Sequence, residues 1–121
     1  MRTSSRSNLV NNGRYALFLL SQSGETAPAG SSEINDFGTV TFARTSAGIY
    51  TITKTGAFTS KKTFVRFQNN VAADQTIKVV RTSANVITIT TQVLSVDTGV
   101  LIATPTDGIL DNTPFEIEVF N

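Results

Sequence analysis

Two stretches of the chain share one alternating pattern of apolar and polar positions, and they also share a sequence. Residues 43–53, ARTSAGIYTIT, and residues 80–90, VRTSANVITIT, are identical at seven of eleven positions. In each stretch two alternating segments flank a short polar turn, and alternation with a period of two is typical of a strand with one buried face. The pattern therefore predicts two β-hairpins of the same design.

Each hairpin turn ends on a residue suited to a positive φ angle. The four-residue turn of the first copy ends on Gly48, as in a type I turn followed by a residue in the left-handed region. Glycine reaches that region without steric cost, and Asn85, its counterpart in the second copy, is among the residues that tolerate it best. We therefore expect the same turn in both hairpins.

The turns set the register and sort the side chains onto two faces. Pairing Thr45 with Ile49, and the equivalent residues of the second copy, collects the large apolar side chains on one side. That apolar set is Val40, Phe42, Tyr50, Ile52, Ile77, Val79, Ile87 and Ile89. Arg44 and Arg81 fall on the same side, one step from each turn. We expect their guanidinium groups to extend over the rim of the sheet, with a paired or ligand-contacting role as the alternative.

The remaining strands are predicted where short apolar segments are bounded by turn residues. Residues 14–22 form a first strand that is apolar on both faces, so it is either central in a sheet or covered by a partner subunit. Residues 23–36 are rich in glycine, proline and serine, which predicts a loop. Further strands are expected at 63–67, on both sides of a turn at 97–99, and at 115–120.

Helical periodicity is absent, so the fold class predicted is all-β. We expect a single antiparallel β-sandwich of about eight strands, jelly-roll-like. At 121 residues and 13.0 kDa the chain has the size of one domain. Residues 14–121 are assigned to that sandwich domain.

Residues 1–13 are predicted to be an N-terminal arm, because they lack any apolar period. The arm carries Arg2 and Arg6 with no acidic residue, together with Leu9 and Val10. It is interpreted either as a plain chain terminus or as a docking segment that orders on a partner. In the second case these four residues are the candidates for partner binding.

The last strand also points to a neighbouring molecule. Its inward set would be Phe115, Ile117 and Val119, which leaves Phe120 outside at the penultimate position. An exposed phenylalanine there is unusual for a monomer. Phe18, in the middle of the two-faced first strand, is a second candidate for contact with a partner subunit. The chain is therefore expected to form a homo-oligomer.

Composition excludes several classes of chemistry. The chain contains no cysteine and no histidine, which excludes disulfides, thiolate metal sites and imidazole-based catalysis. Its net charge of +1 gives no basic surface for nucleic acid. The longest apolar run near the start, residues 16–20, is too short for a membrane span or a signal peptide. No cofactor, nucleic acid or membrane is expected.

Carboxylates are the remaining candidates for acid–base or metal chemistry. Glu116 and Glu118 lie on the outer face of the last strand, where we expect solvated charges rather than a glycosidase pair. Asp97, Asp107 and Asp111 stand near loop glycines, and we expect them to form turns rather than a calcium site. The chain is therefore not expected to be an enzyme.

Three segments resemble a known group of proteins. Residues 56–65 (GAFTSKKTFV), 81–90 (RTSANVITIT) and 110–119 (LDNTPFEIEV) are similar to small β-sandwich domains in structural proteins of tailed bacteriophages, including head-fibre, capsid decoration and tail-fibre proteins. The resemblance implies a capsid- or tail-attached virion component that is assembled in the host cytoplasm and binds other virion proteins. It also implies a homotrimer.

The alternative is a carbohydrate-binding module, which would act as a receptor-binding part of the same virion. A host-surface glycan would then need aromatic rings on which to stack. The sequence offers Tyr15, Tyr50 and whichever phenylalanines are exposed.

Overall fold

A computed structural model of the chain describes residues 13–120. In this range the chain forms nine β-strands and no helix. The strands are β1 (Arg14–Ser21), β2 (Ala29–Asn35), β3 (Thr41–Ser46), β4 (Ile49–Thr53), β5 (Thr63–Phe67), β6 (Gln75–Arg81), β7 (Val86–Asp97), β8 (Val100–Pro105) and β9 (Thr113–Val119).

The strands form two antiparallel sheets that enclose one core. Sheet 1 has the order β2-β1-β9-β5, and sheet 2 has the order β3-β4-β7-β6, with β8 paired to the last part of β7. The core takes side chains from both sheets, namely Ala16, Phe18, Leu20, Phe37, Tyr50, Ile52, Ala57, Phe58, Ile77, Ile87, Ile89, Leu110, Phe115, Ile117 and Val119. The all-β sandwich predicted from the alternating pattern is confirmed.

Strand β1 is central in sheet 1, between β2 and β9. Its inward side chains include Phe18, whose ring packs edge-to-face on Phe42 of the opposite sheet with centroids 5.4 Å apart. Phe18 is therefore a core residue and offers no surface to a partner. The outward side chains Leu17 and Leu19 are half-buried, which explains the apolar character of both faces.

Strand β2 lies where the sequence predicts a loop. Its residues, AGSSEIN, have no apolar face, and six of the seven are exposed. The strand forms because its backbone pairs with the edge of β1, and Gly30 lies so close to the Leu19 carbonyl that a Cβ there would overlap it. Backbone pairing at a sheet edge needs no hydrophobic period, so composition alone indicated a loop.

Both hairpins have the predicted register along their strands, but the predicted pair of Thr45 with Ile49 is wrong, because a bulge intervenes at the first turn. Arg44 pairs with Tyr50 in β3–β4, and Arg81 pairs with Ile87 in β6–β7. In the first turn Gly48 has a φ of 69°, and a bulge places Ser46 opposite Ile49. The apolar sets predicted for the two hairpins face the core.

The second turn is not the copy of the first that the sequence predicts. Asn85 is not among the residues with positive φ. Its side-chain oxygen instead accepts a hydrogen bond from the Gly56 backbone N–H at 2.8 Å, and its carbonyl accepts one from the Lys54 N–H at 2.9 Å. Asn85 therefore contacts the linker at residues 54–62, and the local sequence does not reveal this contact.

The two hairpin arginines are paired rather than extended over the rim. Arg81 Nε donates to the Phe58 carbonyl at 2.6 Å. Arg44 donates from Nε and Nη2 to the carboxylate of Asp107, with a closest distance of 2.8 Å. The alternative that gave these arginines a paired role is therefore the correct one.

Asp107 fastens the β8–β9 loop to the β3–β4 hairpin. Besides Arg44, its carboxylate accepts hydrogen bonds from the Gly48 backbone N–H at 3.0 Å and the Tyr50 hydroxyl at 2.7 Å. The bonds from Arg44, followed by those from Gly48 and Tyr50, hold the pKa of Asp107 well below its ordinary value. Burial, followed by the bond to Asp107, raises the pKa of Tyr50 well above 10.0.

Gly48 lies in a crowded position, whereas Gly56 has the same φ of 69° in open space. A Cβ at residue 48 would overlap the backbone of Thr91, Pro105 and Thr106. We expect Gly56→Ala to cost about 1 kcal/mol of stability through its left-handed backbone alone. Gly48→Ala should cost at least about 2 kcal/mol more, because the strands must also separate. Urea unfolding of both variants measures the difference, and equal losses would contradict the close approach.

Asp107→Asn should lower the melting temperature by several degrees near neutral pH. Because the folded pKa of Asp107 lies below the ordinary value of 3.8, its contribution is present above that pH and is lost as the pH falls further. The difference from the wild-type chain should therefore shrink below about pH 4. Asp97→Asn, a change at an exposed position, is the control and should have little effect. A difference for Asp107→Asn that stays constant with pH would contradict the assignment.

Candidate functional site

The outer face of sheet 1 carries a polar cluster formed by neighbouring strands. Arg66 Nη2 donates to Glu118 at 3.0 Å and Nε to Glu116 at 3.4 Å, while the Tyr15 hydroxyl donates to Glu116 at 2.7 Å. The bond to Glu118 is the main cause that raises the pKa of Arg66. The two glutamates were expected to be solvated, but Glu118 is buried. The cluster is a cross-strand ionic ladder of the kind that stabilises a sheet face.

The three loop aspartates do not come together. Asp107 binds Arg44, Asp97 is the last residue of β7, and the Asp111 carbonyl accepts a hydrogen bond from the Asn70 side chain. Among residues 13–120 there is no group of three acidic, cysteine or histidine side chains that could hold a metal ion. The same part of the chain contains no helix long and apolar enough to cross a membrane.

The most unusual surface of the described chain is a projecting two-stranded ribbon. Strand β7 pairs with β4 as far as Thr90 and with β6 as far as Val93, and from Leu94 onward its only strand partner is β8. We call residues 94–105 the β7–β8 ribbon. All residues from 95 to 105 are exposed. Two-stranded ribbons are at best marginally stable in water without a covering layer.

The ribbon has one continuous apolar face. Val96 pairs with Leu101 and Leu94 pairs with Ala103, so these four side chains point to the same side. Val96 is 71% exposed and Leu101 66% exposed. Of the seven large hydrophobic side chains that are exposed in the described range, four belong to this ribbon: Val96 and Leu101 lie on the apolar face, and Val100 and Ile102 lie on the opposite face beside Asp97 and Ser95.

The free edge of β8 carries no charged side chain. Natural edge strands are commonly guarded by charged side chains, which discourage pairing with other chains. Each of the other four edge strands contains at least one charged residue, namely Glu33 in β2, Arg44 in β3, Arg66 in β5 and Lys78 in β6. Strand β8, with the sequence VLIATP, contains none. This contrast was readable from the sequence, but only the sheet order shows which strands are edges.

A second exposed apolar surface is the pair Phe64 and Phe120. Their rings pack edge-to-face with centroids 5.3 Å apart, and they are 50% and 39% exposed. Phe120 is held in place because its N–H donates to the Lys62 carbonyl at 2.9 Å. The outward position predicted for Phe120 is therefore observed, and Phe64 is the neighbour that the sequence did not single out.

The ribbon and the phenylalanine pair lie at opposite ends of the sandwich. The 54–62 linker that leads into β5 is bound to the β6–β7 turn through the Phe58 N–H and the Ala84 carbonyl. The ribbon leaves the sandwich near Thr91, beside the β3–β4 turn, at the other end of β7. One copy therefore presents an apolar surface at each end.

The other candidate site residues have different positions. Arg2, Arg6, Leu9 and Val10 lie outside the described residues, so their predicted docking role stays a prediction. Both tyrosines considered for stacking on a glycan are buried, Tyr50 in the core and Tyr15 under the outer face of sheet 1. Neither ring is available to a sugar.

Comparison of the chain with protein families, with curated proteins and with solved structures finds no match.

Proposed function

We propose that this chain is a structural subunit that acts by non-covalent protein–protein assembly. The observation that carries the proposal is the β7–β8 ribbon, with its apolar face and its uncharged edge strand. A segment such as residues 100–104, which has high β-propensity and no charge, glycine or proline, is an aggregation hazard when it stays exposed. Covering it with another protein removes the hazard, and burial of its apolar surface provides about 25 cal/mol per Å².

The setting that we propose is a virion. The resemblance of residues 56–65, 81–90 and 110–119 to β-sandwich domains of tailed-phage structural proteins supports a capsid- or tail-attached component, assembled in the host cytoplasm. A homotrimer is the assembly that this resemblance favours. The basic arm at residues 1–13 would anchor the subunit to other virion proteins.

The carbohydrate-binding alternative has less support. Stacking on a sugar requires exposed aromatic rings, and both tyrosines are buried. Phe64 and Phe120 are the exposed aromatic side chains of the described residues. Their rings pack on each other, and the neighbouring Glu118 is already paired with Arg66, so a protein surface is the better ligand for them.

Leu101→Lys should weaken self-association of the purified chain about tenfold or more, because a buried leucine contributes roughly 1.5–3 kcal/mol. The mass in solution, measured by light scattering over a range of concentrations, should exceed 13.0 kDa for the wild-type chain. It should fall toward the monomer for the variant. Val80→Lys changes an exposed valine outside the ribbon and is the matched control.

Two outcomes would contradict the assembly proposal. One is a wild-type chain that stays monomeric at all concentrations and binds no other virion protein. The other is an oligomer that both lysine variants weaken equally, since the ribbon would then have no special role. Circular dichroism should show that both variants keep the β-sandwich.

The virion setting has its own test. If the chain is a virion component, purified particles from cells that produce it should contain it at a fixed ratio to the major capsid or tail proteins. Quantitative mass spectrometry of particles from a density gradient measures that ratio. A chain that stays in the soluble fraction, with none in the particles, would contradict the virion setting without affecting self-assembly.

A further inference from the structure

We propose that the apolar face of the β7–β8 ribbon of one copy docks on the Phe64–Phe120 pair of a second copy, so that copies associate head to tail. This inference rests on the proposed assembly function and names the partner surface for the ribbon. It commits to a second copy of this chain rather than to an unrelated protein.

The chain presents two different apolar surfaces. The ribbon face is built from aliphatic side chains, and the other surface is a pair of aromatic rings. Exposed apolar patches of this kind mark interaction sites, and aromatic side chains are common anchors at the centre of interfaces. A contact between two identical ribbons would leave both phenylalanines exposed, whereas a ribbon-to-phenylalanine contact covers both surfaces at once.

The two ends of the chain also carry opposite charges. Asp97 is the only charged residue of the ribbon; it lies at the ribbon tip and pairs with Val100, on the face opposite Val96 and Leu101. The docking face itself therefore carries no charge. Lys61 and Lys62 precede β5 next to the phenylalanine pair, and both are exposed. The opposite charges favour a docked copy whose ribbon tip points toward these lysines, and they mainly fix the orientation of the contact rather than its strength.

The ribbon and the phenylalanine pair lie at opposite ends of the sandwich, so the ribbon does not fold back on the phenylalanine pair of its own copy. Each copy instead offers one surface to the copy before it and the other to the copy after it. A contact between unlike surfaces generates a closed ring or an open chain, depending on the rotation between neighbours.

The size of the ribbon indicates how strong one contact is. With six residue pairs and a rise of about 3.3 Å per residue, the ribbon is about 20 Å long, and two strands about 5 Å apart make it about 10 Å wide. Its face therefore has an area of roughly 200 Å². A stable interface buries about 800 Å² per partner. A single ribbon contact is therefore weak, and stable assembly requires every subunit to make both contacts.

Chemical crosslinking tests the proposal, and it captures weak contacts. The wild-type chain has no cysteine, so single cysteines can be placed without background. Val96→Cys keeps Leu101 on the ribbon face, and Phe120→Cys keeps Phe64 in the pair. One variant carries an affinity tag, so that mixed and homogeneous dimers differ in mass. The two are mixed and treated with a short bismaleimide, which tolerates more geometries than a disulfide. The control is Val80→Cys, because Val80 is exposed but lies neither on the ribbon nor in the phenylalanine pair. It is mixed once with Val96→Cys and once with Phe120→Cys.

The expected result is a mixed dimer of Val96→Cys and Phe120→Cys, formed several-fold faster than any dimer that contains Val80→Cys. Dimers of Val96→Cys with itself that form faster than the mixed dimer would overturn the proposal in favour of ribbon-to-ribbon pairing. Equal rates for all combinations would also overturn it.

The test separates this inference from the proposed function. If the wild-type chain assembles and Leu101→Lys weakens that assembly, yet the mixed crosslink does not exceed the control, the assembly function stands and the head-to-tail contact is wrong. If neither self-association nor crosslinking is seen, the head-to-tail contact is wrong, and the assembly function also fails if the chain binds no other virion protein.

Discussion

The close approach of three backbone segments at Gly48, Thr91 and Thr106 determines where the sandwich ends and the ribbon begins. The Thr91 N–H donates to the Gly48 carbonyl, and the Thr106 N–H donates to the Thr91 carbonyl. At this point β8 replaces β4 as the neighbour of β7 on the same side. The exchange is possible only because residue 48 has no side chain. The direction of the ribbon, and with it the main exposed apolar surface, depends on this contact.

Charge and burial reinforce the same junction. Asp107 ties the loop after β8 to the β3–β4 hairpin through Arg44, Gly48 and Tyr50. Buried Thr91 adds a hydrogen bond from its hydroxyl to the Thr106 carbonyl. Since these polar groups satisfy one another inside the protein, the junction is rigid where the ribbon starts, although the ribbon itself has no layer beneath it. A ribbon that is held in place where it leaves the sandwich, and that has an exposed apolar face, is suited to contact between subunits.

Among the described residues the polar clusters stabilise the fold, whereas the exposed apolar surfaces are the candidates for the proposed assembly. The ladder formed by Arg66, Glu116 and Glu118 ties β5 to β9 across sheet 1. The conspicuous side chains on the outside are instead hydrophobic, at the ribbon and at the phenylalanine pair. This distribution supports the proposed structural role, in which the exposed apolar surfaces are buried against another protein.

The sequence by itself determined the sandwich class, the register of both hairpins and the inward set of β9, because period-two alternation and turn chemistry act over a few residues. Tertiary structure decided the rest. It made residues 29–35 a strand, because pairing with β1 needs no apolar pattern. It turned Asn85 toward the linker and Arg44 toward Asp107, residues distant in the chain. It also showed that β8 is an edge strand without a charged residue and that the Phe64 ring packs on the Phe120 ring. Edges and neighbouring side chains are defined only once the strand order is fixed.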